Sequence, residues 1–206
     1  MFKNFLNKLF KIKDKWTNGL GRSSITIQLN DKVGPIDRYL TYEKPLADFL
    51  ASVNLGEISG SGTGQKKSGE IAFCDIGVKL FSTKVNDGIL NSLIEKMESL
   101  QVPKGSKLII ETTGKERLFG TKEGLGLYIP NSNFKEKAKE GFDINFLYAE
   151  LLRLINHKPN VDRSWAGKEE TALYFYGSSF EEMAKNIGEF IKSYPLTIDS
   201  RIVQIA

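Results

Sequence analysis

Apolar residues recur along this chain with two periods, every second position or every third and fourth, and the switches between them mark its elements. Ser24 to Leu29 (SITIQL) alternates and is rich in β-formers, which predicts a first strand. Pro45 to Leu55 has helical spacing, with proline suited to a first turn and Gly56 to a stop. Gly69 to Phe81 (GEIAFCDIGVKLF) is the clearest strand. Alternation puts Ala72, Cys74, Ile76, Val78 and Leu80 on one face, and Ile71, Phe73, Asp75 and Lys79 on the other. Asn86 to Val102 reads as a helix buried through Ile89, Leu90, Leu93, Ile94, Met97 and Leu100, and Lys107 to Glu111 as a strand. With a short strand at Glu57 to Ser59, the order is βαββαβ.

The pattern then begins again. Leu125 to Ile129, Val161 to Trp165, Thr171 to Gly177 and Arg201 to Ile205 read as strands, and Ile144 to Asn156 and Phe180 to Tyr194 as helices. Ser106-Lys107-Leu108-Ile109 and Ser200-Arg201-Ile202-Val203 follow the second helix of each series, after turns at Val102-Pro103 and Tyr194-Pro195. Repetition of a whole unit predicts an α+β protein of tandem duplicated ferredoxin-like (βαββαβ) units with antiparallel sheets, over 23–112 and 113–206, preceded by an N-terminal basic amphipathic helix and joint at 1–22. Helices on one side of each sheet leave Ile71, Phe73, Ile109, Tyr174 and Tyr176 needing cover on the other. Two units covering each other or sharing a continuous sheet would answer this, and a partner or ligand is the alternative.

In residues 1–16, Phe2, Phe5, Leu6, Leu9, Ile12 and Trp16 fall on one helical stripe. Five lysines and one acid accompany them, so the segment is cationic and amphipathic. Lysines interrupt it too often for a signal peptide, and the chain has no apolar run of membrane-spanning length. Its stripe either docks on protein, its own body or a twin subunit, or dips into an anionic membrane surface. Thr17 to Arg22 (TNGLGR) supplies a flexible joint.

Ser59 to Ser68, SGSGTGQKKS, looks like a phosphate-gripping loop. Its glycine spacing fails the G-x-x-x-x-G-K-[ST] pattern, because Gln65 stands where a glycine is needed after Gly60 and Ser59 where one is needed before Gly64. A strand pattern follows it, with no helix to face a phosphate. The expectation is a long, flexible hairpin tip whose Lys66 and Lys67 are candidate contacts for an acidic partner.

Charge sharpens this picture. Of 29 basic and 25 acidic side chains, setting aside the first sixteen residues leaves 24 of each, so the body is formally neutral and lacks the basic stripe that nucleic acid requires. An RNA-recognition module shares the element order, but its R/K-G-F/Y-G/A-F motif is missing. One cysteine, Cys74, and one histidine, His157, cannot make a disulfide framework or a Cys/His zinc site. Cys74 reads as a buried small hydrophobe, His157 as a helix C-terminal residue, and the pairs Glu169-Glu170 and Glu181-Glu182 as a strand flank and a helix-dipole complement. No catalytic, metal or cofactor residues are expected. The candidate partner contacts are Lys66, Lys67, Phe73, Asp75, Tyr174 and Tyr176.

The segments ETALYFYGSSFEEMAKNIGEFIKSYPLTIDSRIVQIA, EGLGLYIPN, ASVNLGEISGSGTGQKKSGEIAFCDIGVKLF and VPKGSKL resemble bacterial proteins with two ferredoxin-like halves, some similar to immunity proteins found beside polymorphic or contact-dependent toxins. The resemblance covers residues 23 to 206. It implies a cytoplasmic, non-catalytic protein-binding module that neutralises a toxin by covering its surface, and leaves out the first segment, whose own cationic, amphipathic pattern adds peripheral contact with the inner face of the membrane as an expectation. The alternative is a regulatory module holding a small ligand between the units.

Overall fold

The computed structural model describes residues 23–137, 140–156 and 163–206. The stripe from Phe2 to Trp16 and His157 lie outside them.

Two antiparallel sheets carry the fold. The first contains β1 (Ser24–Leu29), β2 (Gly56–Gln65), β3 (Ile71–Leu80), β4 (Ser106–Ile110) and β5 (Lys115–Phe119), in the order β2-β3-β1-β4-β5. The second contains β6 (Glu123–Pro130), β7 (Arg163–Ala166), β8 (Glu170–Gly177) and β9 (Arg201–Gln204), in the order β7-β8-β6-β9. β5 lies within 113–206, the span expected for the second unit, so the first sheet continues past residue 112.

On one face of the first sheet lie helix α1, over 35–52, and α2 (Asp87–Ser99). Ile25, Ile27, Cys74, Ile76, Val78 and Leu108 meet Tyr42, Leu46, Leu50, Leu93 and Met97 there in one fully buried core. The alternation of β1 and β3 dictates this, since each second side chain shares a face. Three helices follow in the second half, α3 (Asn131–Lys137), α4 (Ile144–Leu154) and α5 (Phe180–Ser193). Leu147 and Leu151 of α4 and Met183 and Ile187 of α5 cover Leu125, Leu127, Leu173 and Phe175 of the second sheet. Asn86, Asp143 and Ser179 cap α2, α4 and α5 by accepting bonds from first-turn amides. No helix among the described residues is long and apolar enough to cross a membrane.

α1 departs from the sequence expectation of a helix starting at Pro45. It begins at Pro35 and passes through a π-helical turn, Tyr39–Glu43, before Pro45. Proline cannot donate to the carbonyl four residues back, here Thr41, and its ring crowds that carbonyl. The wider turn, closed by Lys44 N–H on Tyr39 O, lets the helix run through rather than stop.

The SGSGTGQ stretch is strand β2 and not a flexible tip, which is a second correction. Its register with β3 sets Gly62 against Asp75, Thr63 against Cys74 and Gly64 against Phe73. Ser61 and Thr63 thus share a face with the core, and Gly62 and Gly64 point away from it. Arg38, buried on α1, takes up the polar side: its Nη1 donates to Gly62 O (2.7 Å) and Thr63 Oγ1 (2.6 Å), its Nη2 to Ser61 Oγ (3.0 Å), and its Nε to Glu43 (2.7 Å). The hairpin tip is only residues 66–70, closed by Lys66 N–H on Glu70 O.

Candidate functional site

The two sheets differ in what covers the face that their helices leave open. On the second, Tyr128, Ala172, Tyr174 and Tyr176 form a buried cluster, flanked by Trp165, Val203 and Ile205. Gly124 and Gly126 make this possible, since a Cβ at Gly124 would stand 2.8 Å from the Tyr176 ring and one at Gly126 2.9 Å from that of Tyr128. The tyrosine rings pack beside the glycines, Tyr128 and Tyr174 edge to face, and their hydroxyls meet the end of the first sheet.

There they meet two loops. The first follows β1 and brings Asp31, 0% exposed, to the guanidinium of Arg163 on β7. The pair is bidentate, Nε to Oδ1 at 2.7 Å and Nη2 to Oδ2 at 2.9 Å, and Tyr42 of α1 donates its hydroxyl to Oδ2 at 2.6 Å. Arg163 also lies 5.3 Å from the Tyr176 ring centre. Next in the loop, Lys32 donates its backbone N–H to the Tyr176 hydroxyl at 3.1 Å and its ammonium to Ile71 O at 2.7 Å.

The second loop is the β2–β3 tip. Its Glu70 is buried, with Oε1 accepting from the Tyr128 and Tyr174 hydroxyls at 2.8 and 3.0 Å and Oε2 from Lys66 at 2.7 Å. Burial opposes ionisation of Glu70, but the bonds from Lys66 and Tyr128, the Lys32 charge and the bond from Tyr174 outweigh it and hold its pKa below the ordinary value. Burial pushes the Tyr128 hydroxyl up to about 12, aided by its bond to Glu70, and pushes those of Tyr42, Tyr174 and Tyr176 up as well. Lys32 is lowered by burial against the pull of Glu70. The tyrosines therefore stay neutral: Tyr42 donates to Asp31, Tyr128 and Tyr174 donate to Glu70, and Tyr176 accepts from Lys32 N–H. No buried side-chain nitrogen or oxygen among the described residues lacks a partner. Such a cluster acts as a joint between the halves.

The first sheet's outer face is different: no described element covers it. Register places Thr26 between Gly77 and Ile109, Gln28 between Asp75 and Lys107, and Leu118 beside Lys107. The Phe73 ring lies over Gly64, where a Cβ would be 2.5 Å away. Leu118 is 71% exposed, and Phe73, Asp75 and Ile109 are half-buried. Gln28 donates to Asp75 at 3.0 Å and Lys107 pairs with Glu116 at 2.7 Å, which holds the polar side chains down against the sheet. The result is an open sheet surface with Phe73, Ile109 and Leu118 set among hydrogen-bonded polar groups.

The sequence-predicted contacts thus divide. Phe73 and Asp75 share the open face. Tyr174 and Tyr176 lie inside the joint, 3% and 7% exposed, because the second sheet's face is packed on the first half. Lys66 holds Glu70, and Lys67 is exposed at the tip. Cys74 is buried as expected, its thiol donating to Val33 O at 3.2 Å and raised by burial. A cleft of about 310 Å³ beside the joint is lined by Gln101, Lys122, Asn156, Ser179 and Glu182 among others. The α5 N-terminus beside it is already served by a carboxylate, since Glu123 Oε2 accepts from Phe180 N–H at 2.6 Å while Oε1 pairs with Lys104.

Sequence reasoning missed Asp31, Arg163 and Glu70. Asp31 sits in Asn30-Asp31-Lys32, outside every predicted element, and its partner is 132 residues away. It also missed Leu118, whose neighbours Lys115, Glu116 and Arg117 disguise a five-residue strand. Compared with known proteins, the chain matches no family model and no curated protein.

Proposed function

We propose that this chain is a tandem duplication of a ferredoxin-like unit acting as a non-catalytic protein-binding module of the immunity type, which occludes a toxin with the outer face of its first sheet. The shared strand order supports the duplication: counted within each half, both sheets run second, third, first, fourth, with β5 added to the first. The observation that carries the binding role is the asymmetry between two equivalent faces. One is sealed by tyrosines into the joint, and the other leaves Phe73, Ile109 and Leu118 open among Asp75, Gln28 and Lys107. Apolar side chains within a hydrogen-bonded polar frame have the make-up of a protein interface.

The test is co-expression with the products encoded on either side of the gene. The expected result is association with one of them and relief of the growth arrest that it causes. If neither product associates and no arrest is relieved, the reading fails.

A further inference from the structure

The outer side of α1 is apolar where a helix exterior is ordinarily polar. Ile36, Tyr39 and Leu40 are 78%, 52% and 58% exposed, at spacings of three and four on the two turns before the π segment closes. The opposite side of the same helix is spent on the core through Tyr42, Leu46 and Leu50. Asp37, beside the patch, has no partner among the described residues.

We propose that residues 1–16 of the same chain dock on this patch, with Phe2, Phe5 and Leu6 over Ile36, Tyr39 and Leu40. Direction and reach support this occupant. Ser23 is fastened where β1 begins, its N–H on Ser82 O and its hydroxyl on Thr83 O, at the end of the sheet where α1 finishes. β1 runs away from that point and α1 runs back, so the patch stands about 20 Å off, the length of a six-residue strand. Sixteen residues at helical rise span about 24 Å, and an extended six-residue joint adds up to about 20 Å. A segment lying parallel to α1 therefore brings its first two turns to the patch. Size points the same way. Three side chains fall far short of the roughly 800 Å² per partner that a stable complex between separate chains needs. They suffice for a tethered segment, whose effective concentration on a short linker is millimolar. Charge agrees, with five lysines among residues 1–16 and Asp37 at the patch. The contact would withhold the stripe from lipid.

Full-length protein carrying Phe5→Cys and Leu40→Cys tests this, with Phe5→Cys and Leu118→Cys as the comparison and buried Cys74 left in place. The expected result is an intramolecular disulfide between positions 5 and 40, formed at least tenfold faster than that between 5 and 118, at a rate independent of protein concentration. Disulfide-linked dimers that grow with concentration would instead place a second copy on the patch, and no preference for position 40 would leave the patch without this occupant; either overturns the proposal. A second measurement does not depend on cysteines. The variant Ile36→Lys with Leu40→Lys should be cut by trypsin within residues 3–15 about tenfold faster than wild type, and should sediment more fully with phosphatidylserine vesicles. Equal cleavage, or equal sedimentation of the two proteins, contradicts a docked segment.

Discussion

At Asp31 a carboxylate with no solvent contact is held by three donors from two side chains on opposite sides of the joint, Arg163 and Tyr42. Removing one member leaves the other charged and buried, so Arg163→Met should lower unfolding stability by about 3 to 5 kcal/mol. Asp31→Leu together with Arg163→Met should cost less than the sum of the single changes, because no charge is stranded. Denaturant melts of the four proteins measure both. Glu70 gives the joint a pH dependence with a definite sign. Its folded pKa lies below the ordinary 4.5, so its contribution is present in full above that value and is lost as pH falls through the folded one. Denaturation midpoints between pH 6 and pH 3 should fall more steeply for wild type than for Glu70→Gln. Identical slopes would mean that the Glu70 carboxylate does not stabilise the joint.

Among the elements, β2 shows how much was legible. Its alternation of small polar residues and glycines is visible in Ser59 to Gly64, and glycine richness argues for a loop when only local propensity is weighed. The strand forms because both its faces are claimed by tertiary partners, Arg38 on the Ser61 and Thr63 side and Phe73 over Gly64. Strongly periodic elements such as β3, α2, α4 and α5 were readable, since their period alone selects a buried face. α1 was half-readable, because Pro45 signals a start unless a π turn absorbs it. β5 was not readable, with Leu118 and Phe119 on opposite faces of five residues. Gly64→Val should push the Phe73 ring off the sheet, costing about 1 to 3 kcal/mol by overpacking. Near-ultraviolet dichroism and a melt would register the displaced ring, and an unchanged spectrum would show that Phe73 does not rest there.

For the whole molecule, an α+β protein with antiparallel sheets was legible in the repeated order of elements, whereas the site was legible only in part. Phe73 and Asp75 declared themselves by alternation, but which sheet keeps an open face depends on a joint built from residues more than a hundred positions apart, Asp31 with Arg163 and Glu70 with Tyr174. Local pattern carries no record of such pairs. Once made, the joint consumes the aromatic face of the second sheet and leaves the first sheet's face open, the surface we propose for a partner. The most direct measurement is therefore the affinity of a neighbouring gene product for wild type and for Phe73→Asp with Leu118→Lys, with Ile36→Lys and Leu40→Lys as the control surface. The account predicts at least a hundredfold weaker binding for the open-face variant, with an unchanged melting temperature, and wild-type affinity for the control. Tight binding that survives Phe73→Asp with Leu118→Lys would contradict it.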